Sequence, residues 1–207
     1  MQHIYKETTW TIIPDKTPLV IRNCSKCGRK KEFYSSDKFR LNGRHTKIDI
    51  WLIYKCTKCD TTWKLTIKKG IKPHDLTSQL FDRFTNNDKD LAWEYAFDRH
   101  LLKQNGCEIL YTNIGYSVEG FNSRDLGGPG NLCCPLLIHI KSRHLFELKL
   151  CALLANKLEV SINKIKKLAD SGTITTSLGC DIIKYRIRMD LEVFFHCSDI
   201  QNSFNQS

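Results

Sequence analysis

Cys24-Ser-Lys-Cys27-Gly28 and, with 28 residues between, Cys56-Thr-Lys-Cys59 are the stretches that decide the fold of this 207-residue chain. Two thiolates in a Cys-x-x-Cys turn can bind one side of a metal ion, and a second such turn closes the tetrahedron. Gly28 follows the first turn, where the backbone commonly needs a positive φ to leave it. The sequence between the pairs reads as a hairpin. Lys31 to Arg40 is one strand, Leu41-Asn-Gly-Arg-His-Thr46 the turn, and Lys47 to Lys55 the return, with Ile48, Ile50, Leu52 and Tyr54 on one face. After Cys59 a third strand sets Trp63, Leu65 and Ile67 against Lys64, Thr66 and Lys68.

Two cysteine turns at the tip of a three-stranded antiparallel sheet resemble a zinc ribbon. This reading assigns residues 1–72 to a zinc-ribbon domain holding one structural Zn2+ on Cys24, Cys27, Cys56 and Cys59. Four thiolates leave no open coordination position, so the ion is expected to hold the fold and not to catalyse, in a sheet too small to bury enough area alone. Lys26, Lys30, Lys58 and Lys64 surround the turns and offset the thiolate charge.

Composition narrows the function. Hydrophobic residues at 41% can fill a core and charged residues at 26% are ordinary, but 32 Lys+Arg against 22 Asp+Glu leave a net charge of +10. The excess is unevenly placed: Arg22 to Lys72 carries +11, Pro73 to Asp125 −4, Lys141 to Arg188 +6, and the residues from Met189 onward −3. Two basic modules therefore flank an acidic connector. No basic amphipathic helix or lipidation signal accompanies the charge, which favours a polyanion over a membrane. The chain shows no apolar run of membrane-spanning length, and its start, MQHIYKETTW, has no signal-peptide core. A soluble, cytoplasmic protein is expected, and its ten cysteines read as metal ligands or free thiols before disulfides.

Residues 73–135 read as a helical connector with a short strand. Pro73-His-Asp75 opens a helix that keeps its period through Leu76, Leu80, Phe81 and Phe84, and Asn86-Asn87-Asp88 breaks it and caps a second running to Gln104. Trp93 and Tyr95 are read as core, not as a base-stacking platform. Gly115 to Gly120 and Leu136 to Lys141 are strand candidates, and the glycine-rich Arg124–Gly130 between them lacks the lysine and the amide of a phosphate loop. Cys133 and Cys134, near His139, and Cys107, Cys151, Cys180 and Cys197 are read as buried free thiols. No catalytic constellation stands out, so no catalytic residue is assigned and the chain is not expected to be an enzyme.

Residues 136–207 hold the second basic module. In Lys149 to Ile174, KLCALLANKLEVSINKIKKLADSGTI, a first helix carries Leu150, Leu153, Leu154 and Leu158 on one face. Ser161 is a natural N-cap for a second helix with Ile162, Ile165 and Leu168, Gly172 ends it, and Ile174 begins a strand. Lys164, Lys166 and Lys167 on the second helix suit a phosphate backbone. The stretch resembles the alpha-L RNA-binding motif of a small-subunit ribosomal protein, of pseudouridine synthases and of tyrosyl-tRNA synthetases. Lys149-Leu150-Cys151 stands at its opening triplet and Leu154-Ala155 at its Leu-Ala, with Leu158, Ser161, Leu168, Gly172 and Ile174 in register. Cys151 replaces an acid of the motif, Ile162 an arginine, and Thr176-Ser177-Leu178-Gly179 only loosely echoes Val-Asn-Gly. The resemblance implies RNA contacts from Lys149, Ser161, Asn163, Lys164, Lys166 and Lys167. The same residues also fit a helix-turn-helix, with Ala155, Glu159 and Ile165 at its key positions and Glu159 where a glycine is usual, or a hairpin packed for stability alone.

Across nearly its full length the chain also resembles DUF1062, a bacterial family known as a domain of unknown function. Trp10-x-Ile12-x-Pro14, Thr17-Pro18-Leu19-Val20-Ile21-Arg22-x-Cys24, Lys47-Ile48-Asp49-Ile50-Trp51-Leu52-Ile53-Tyr54-x-Cys56-x-x-Cys59 and Leu91-Ala92-Trp93 carry the resemblance, which implies no activity. The expectation is an α+β protein in three parts: zinc ribbon, helical connector and alpha-L-like module. Its expected function is to bind nucleic acid, structured RNA before DNA. The alternatives are a dimeric helix-turn-helix regulator of DNA and a protein-interaction module with a purely structural zinc.

Overall fold

The structure, a computed structural model, describes residues 5–44, 46–112, 114–122 and 135–196. Among them run strands β1 (Lys6–Pro14), β2 (Leu19–Cys24), β3 (Arg29–Arg44), β4 (Lys47–Cys56) and β5 (Thr62–Ile71), then helices α1 (Ser78–Thr85), α2 (Lys89–Phe97) and α3 (Arg99–Gln104). Next come β6 (Glu108–Leu110), β7 (Tyr116–Glu119), β8 (Leu136–Ser142), α4 (Leu150–Lys157), α5 (Ile162–Asp170), β9 (Ile174–Thr176) and β10 (Leu191–Phe195). The fold is α+β, with two five-stranded sheets.

The chain forms two compact units, one of Asp15–Gly115 and the other of the residues through Pro14 together with those from Tyr116 onward. In the first, the sheet order is β5-β4-β3-β2-β6, antiparallel throughout. Alternation along β4 buries Ile50, Leu52 and Tyr54 completely, and helices α1 to α3 add Phe84, Leu91, Ala92, Ala96 and Leu102 to the same cluster. Phe39 meets Phe84 edge-on at 4.9 Å, and Tyr95 stacks on Phe84 at 5.9 Å. Asn105, just past α3, accepts from Thr66 N–H and donates to Thr66 O at 2.9 and 3.0 Å, which ties the helix to the β5 edge.

In the second unit, the order is β7-β1-β8-β10-β9. Strand β1 runs parallel to β8 and antiparallel to β7, while β10 is antiparallel to both β8 and β9. One face buries Trp10, Ile12, Ile138, Ile140, Val193 and Phe195. Leu150, Leu153 and Leu154 of α4 and Ile165 and Leu168 of α5 are buried as well. Gly120 leaves β7 at φ +77°, and a Cβ there would collide with Thr9 O, so only a residue without one fits.

These unit boundaries differ from the segments 1–72, 73–135 and 136–207. The connector helices share one core with the hairpin, and β1 joins a sheet whose other strands lie more than a hundred residues further along the chain. The helix expected to reach Gln104 without interruption is divided at Asp98, whose carboxylate accepts from Leu101 N–H at 3.0 Å and caps α3. The hairpin turn is tighter than expected, since β3 continues to Arg44 and β4 starts at Lys47. The Arg124–Gly130 loop and Cys133, Cys134 and Cys197 lie outside the described residues.

Candidate metal centre and nucleic-acid interface

Strand pairing brings the two cysteine turns together. Cys24 ends β2 and Cys56 ends β4, strands that both pair with β3, with Cys24 opposite Arg29 and Cys56 opposite Phe33. The turns are built alike. Gly28 N–H donates to Cys24 O at 2.9 Å and Asp60 N–H to Cys56 O at 3.0 Å. Gly28 (φ +67°) and Asp60 (φ +56°) both take the left-handed conformation one residue after the second cysteine. The requirement for positive φ expected at Gly28 is thus met twice, the second time by an aspartate.

The four sulfurs lie within 4.8 Å of one another, and Cys24 and Cys59 Sγ are 3.5 Å apart. A tetrahedral four-thiolate ion with metal–sulfur bonds of about 2.3 Å separates its sulfurs by about 3.8 Å, so the donor set fits. The thiols are not equivalent. The Thr61 hydroxyl 3.1 Å from Cys59 Sγ, together with the Thr61 amide, holds Cys59 down to about 6. Its hydrogen bond to Cys59 and its burial beside the other sulfurs push Cys27 up to about 12. A dication must displace the thiol protons to bind here, so binding weakens with acid. Of the lysines expected to offset the thiolates, Lys26 and Lys58 are exposed within the two turns. Lys30 pairs with Glu108 at 3.8 Å, and Lys64 stands over the Trp51 ring, 4.8 Å from its centroid.

The second basic module forms the expected pair of helices. Helix α4 ends at Lys157 and α5 begins at Ile162, joined through Glu159 in left-handed conformation (φ +55°). Ser161 Oγ accepts from Lys164 N–H at 3.2 Å, so this hydroxyl is committed to capping α5. Asn163, Lys166 and Lys167 are exposed and Lys164 is half-buried, while Ile165 and Leu168 anchor the opposite side of the helix.

Lys149 is exposed at the start of α4 and bridges through its backbone to Arg186. That bridge brings in residues the helical periodicity did not single out. Lys166 and Lys184 line one groove of about 490 Å3, and Lys184, Arg186 and Arg188 line a second of about 330 Å3. The three basic residues of the loop before β10 thus link Lys149 to the α5 lysines. The charge of the 141–188 stretch was visible in the sequence, but only the pairing of residues 185–187 with 148–150 places it. Glu147 holds Arg186 at 3.1 Å, Asp170 and Asp181 line the first groove, and hydrogen bonds from the Lys184 and Ile183 amides keep Asp181 below the ordinary carboxylate range despite its partial desolvation. Cys151 donates to Ile183 O at 3.3 Å and ties this loop to α4. Cys107 and Cys151 are buried free thiols, whereas Cys180, expected to be buried, is half-exposed with its Sγ 3.3 Å from Thr176 Oγ1.

Fold and cluster together define an α+β protein with a four-cysteine site able to hold a metal ion. The chain belongs to the DUF1062 family, described as a protein of unknown function, whose model matches residues 41–178 and so extends into both units. No curated protein and no solved structure matches the chain. Among the described residues no helix is long and apolar enough to cross a membrane.

Proposed function

We propose that the protein is a zinc-containing, cytoplasmic nucleic-acid-binding protein, a binder and not an enzyme, that takes structured RNA through its second basic module. The zinc ribbon is the reading of the first unit, with one structural Zn2+ on Cys24, Cys27, Cys56 and Cys59. Four sulfur donors favour zinc over the oxygen-seeking cations, and a full thiolate set leaves no position for a substrate. The observation that carries the RNA reading is the cationic strip of Lys149, Lys166, Lys167, Lys184, Arg186 and Arg188 beside a helix pair in the register of the alpha-L motif. Phosphates are held by such fixed cations, and release of counterions makes the binding salt-dependent.

Purification at low salt should bring a defined RNA along, and about half-molar salt should strip it. The triple variant Lys164→Glu, Lys166→Glu and Lys167→Glu should abolish binding of that structured RNA with circular dichroism and metal content unchanged. Undiminished binding by that variant would remove α5 from the interface.

Glu159 gives a second reading its specific support. Its left-handed backbone supplies the turn that a helix-turn-helix needs at that position, and β9 and β10 would follow as a wing. This reading requires a dimer on a palindromic duplex, so a monomer by sedimentation with no preference for duplex DNA excludes it.

A further inference from the structure

The nucleic-acid reading places its contacts on the second unit and leaves the larger charge excess, around the cysteine turns, without a use. The first unit's sheet shows where part of that charge goes. Residues 50, 52 and 54 of β4 enter the core, so residues 51, 53 and 55 face away from it. Register then fixes their neighbours. Trp51 lies between Arg40 of β3 and Thr66 of β5, Ile53 between Lys38 and Lys64, and Lys55 between Tyr34 and Thr62. Arg40, Lys38 and Lys64 are exposed, as is Tyr34, and Trp51 and Ile53 are half-buried outside the hydrophobic cluster of this unit. Lys64 Nζ stands 4.8 Å from the centre of the Trp51 ring. Of the acids beside this patch, Asp49 is engaged by Gly70 N–H at 2.7 Å and Asp60 accepts from the Tyr34 hydroxyl at 3.1 Å, while Glu32 of β3 is exposed.

We propose that this outer face of β3, β4 and β5 is a platform for single-stranded nucleic acid, on which Trp51 stacks an unpaired base while Arg40, Lys38, Lys64 and Lys55 hold the flanking phosphates. It rests on the nucleic-acid reading for the class of ligand but uses a different unit and a different contact. An aromatic ring ringed by cations on a sheet suits a polyanion whose repeating unit carries a π face. An acidic protein would match the cations and leave the tryptophan without a partner. The Lys64–Trp51 contact is of the weak, exposed kind, readily exchanged for a phosphate and a base. The bulge between Ser35 and Lys38, where Asp37 takes φ +55°, puts Lys38 and Arg40 back on the same face as Tyr34. The first module thereby gains a role that its metal alone does not give it.

The test is titration of the full-length, metal-loaded protein with a labelled twelve-residue oligouridylate, following anisotropy and tryptophan fluorescence. Binding should quench fluorescence and weaken with salt. Trp51→Ala should lose roughly tenfold or more in affinity together with most of the quench, Trp51→Phe should keep most of the affinity, and Arg40→Glu with Lys64→Glu should abolish binding. The α5 triple variant should still bind the oligonucleotide. Wild-type affinity in both Trp51→Ala and the Arg40/Lys64 variant, with binding lost in the α5 triple variant, would overturn this platform and leave the RNA reading standing. Failure of the unmodified protein to bind any RNA at low salt would overturn both. Equal binding of polyglutamate without quenching would overturn it in favour of an acidic protein partner. Should Trp51→Ala not fold, Trp51→Phe and the Arg40/Lys64 variant decide the matter.

Discussion

The two sheets of this protein have the same number of strands and the same half-covered plan, yet they are completed in different ways. The second unit closes on its side chains alone: Trp10, Ile12, Ile138, Ile140, Val193 and Phe195 are buried in its sheet, as are Leu150, Leu153 and Leu154 of α4. The first packs Phe33, Phe39, Tyr54 and Phe84 into its core, and its β2 and β4 ends converge on four cysteines placed closely enough to hold a metal ion. Their open faces differ as well. The first presents Trp51 among Lys38, Arg40 and Lys64, while the second presents His139 between Glu7 and Glu192, each at 3.4 Å. Equal architecture therefore predicts neither the source of stability nor the ligand. The residues at strand ends set the first, and the charge of the outward-facing positions sets the second.

Removing the metal should break the symmetry most visibly. Chelation, or Cys56→Ser, is expected to lower the melting transition of the first unit by roughly 10 °C or more while the second keeps its own. Calorimetry and hydrogen exchange resolved by peptide would show it. Protection should vanish first around residues 24–29 and 56–62 and persist in β8 and β10. Equal loss in both units would mean that the metal stabilises more than its own sheet.

The converse variant is Ile138→Ala, which should cost the second unit about 3 kcal/mol by opening a cavity in its core. Metal content and exchange protection in the first unit should stay as they were. A smaller change of opposite sign is expected at the tight turn between α4 and α5. Glu159→Gly relieves a left-handed backbone and should stabilise by about 0.5–1 kcal/mol. A loss of stability there would indicate that the Glu159 side chain is itself engaged.

The smallest effect is at Asp88, which caps α2 through Leu91 N–H at 2.7 Å and meets Arg83 at 3.2 Å. The Arg83 guanidinium holds its carboxyl below the ordinary carboxylate value. Its folded pKa being depressed, the stability it lends is complete above the ordinary value and disappears as pH falls through the depressed one. Asp88→Asn should therefore flatten the acid limb of unfolding followed between about pH 5 and 2, in the first unit only.

What was legible in the sequence was local. The spacing of the four cysteines and the alternation of Ile48, Ile50, Leu52 and Tyr54 led directly to the observed cluster and hairpin, because both are set by neighbours a few residues apart. Ser161 and Gly172 marked the ends of α5 for the same reason. Pairings across long stretches of chain were not legible. Nothing within Lys6–Pro14 says that this strand will lie beside Leu136–Ser142 rather than beside its neighbour β2. Likewise, the three basic residues at 184, 186 and 188 gain meaning only when Arg186 bridges Lys149. The break at Asp98 was readable in principle, since an aspartate three residues before Leu101 is good capping chemistry, but the helical period on both sides hid it. Trp51 was passed over because its strand was read for the face it buries.

The most direct measurement of the central claim is the affinity of the metal-loaded chain for RNA across a range of salt concentrations. If the cationic strip and the sheet face hold phosphates, the logarithm of the association constant should fall linearly with the logarithm of salt, with a slope of about −3 or steeper. A flat dependence, or no binding at about 50 mM salt, would contradict it and leave the +10 charge as a property of the surface alone.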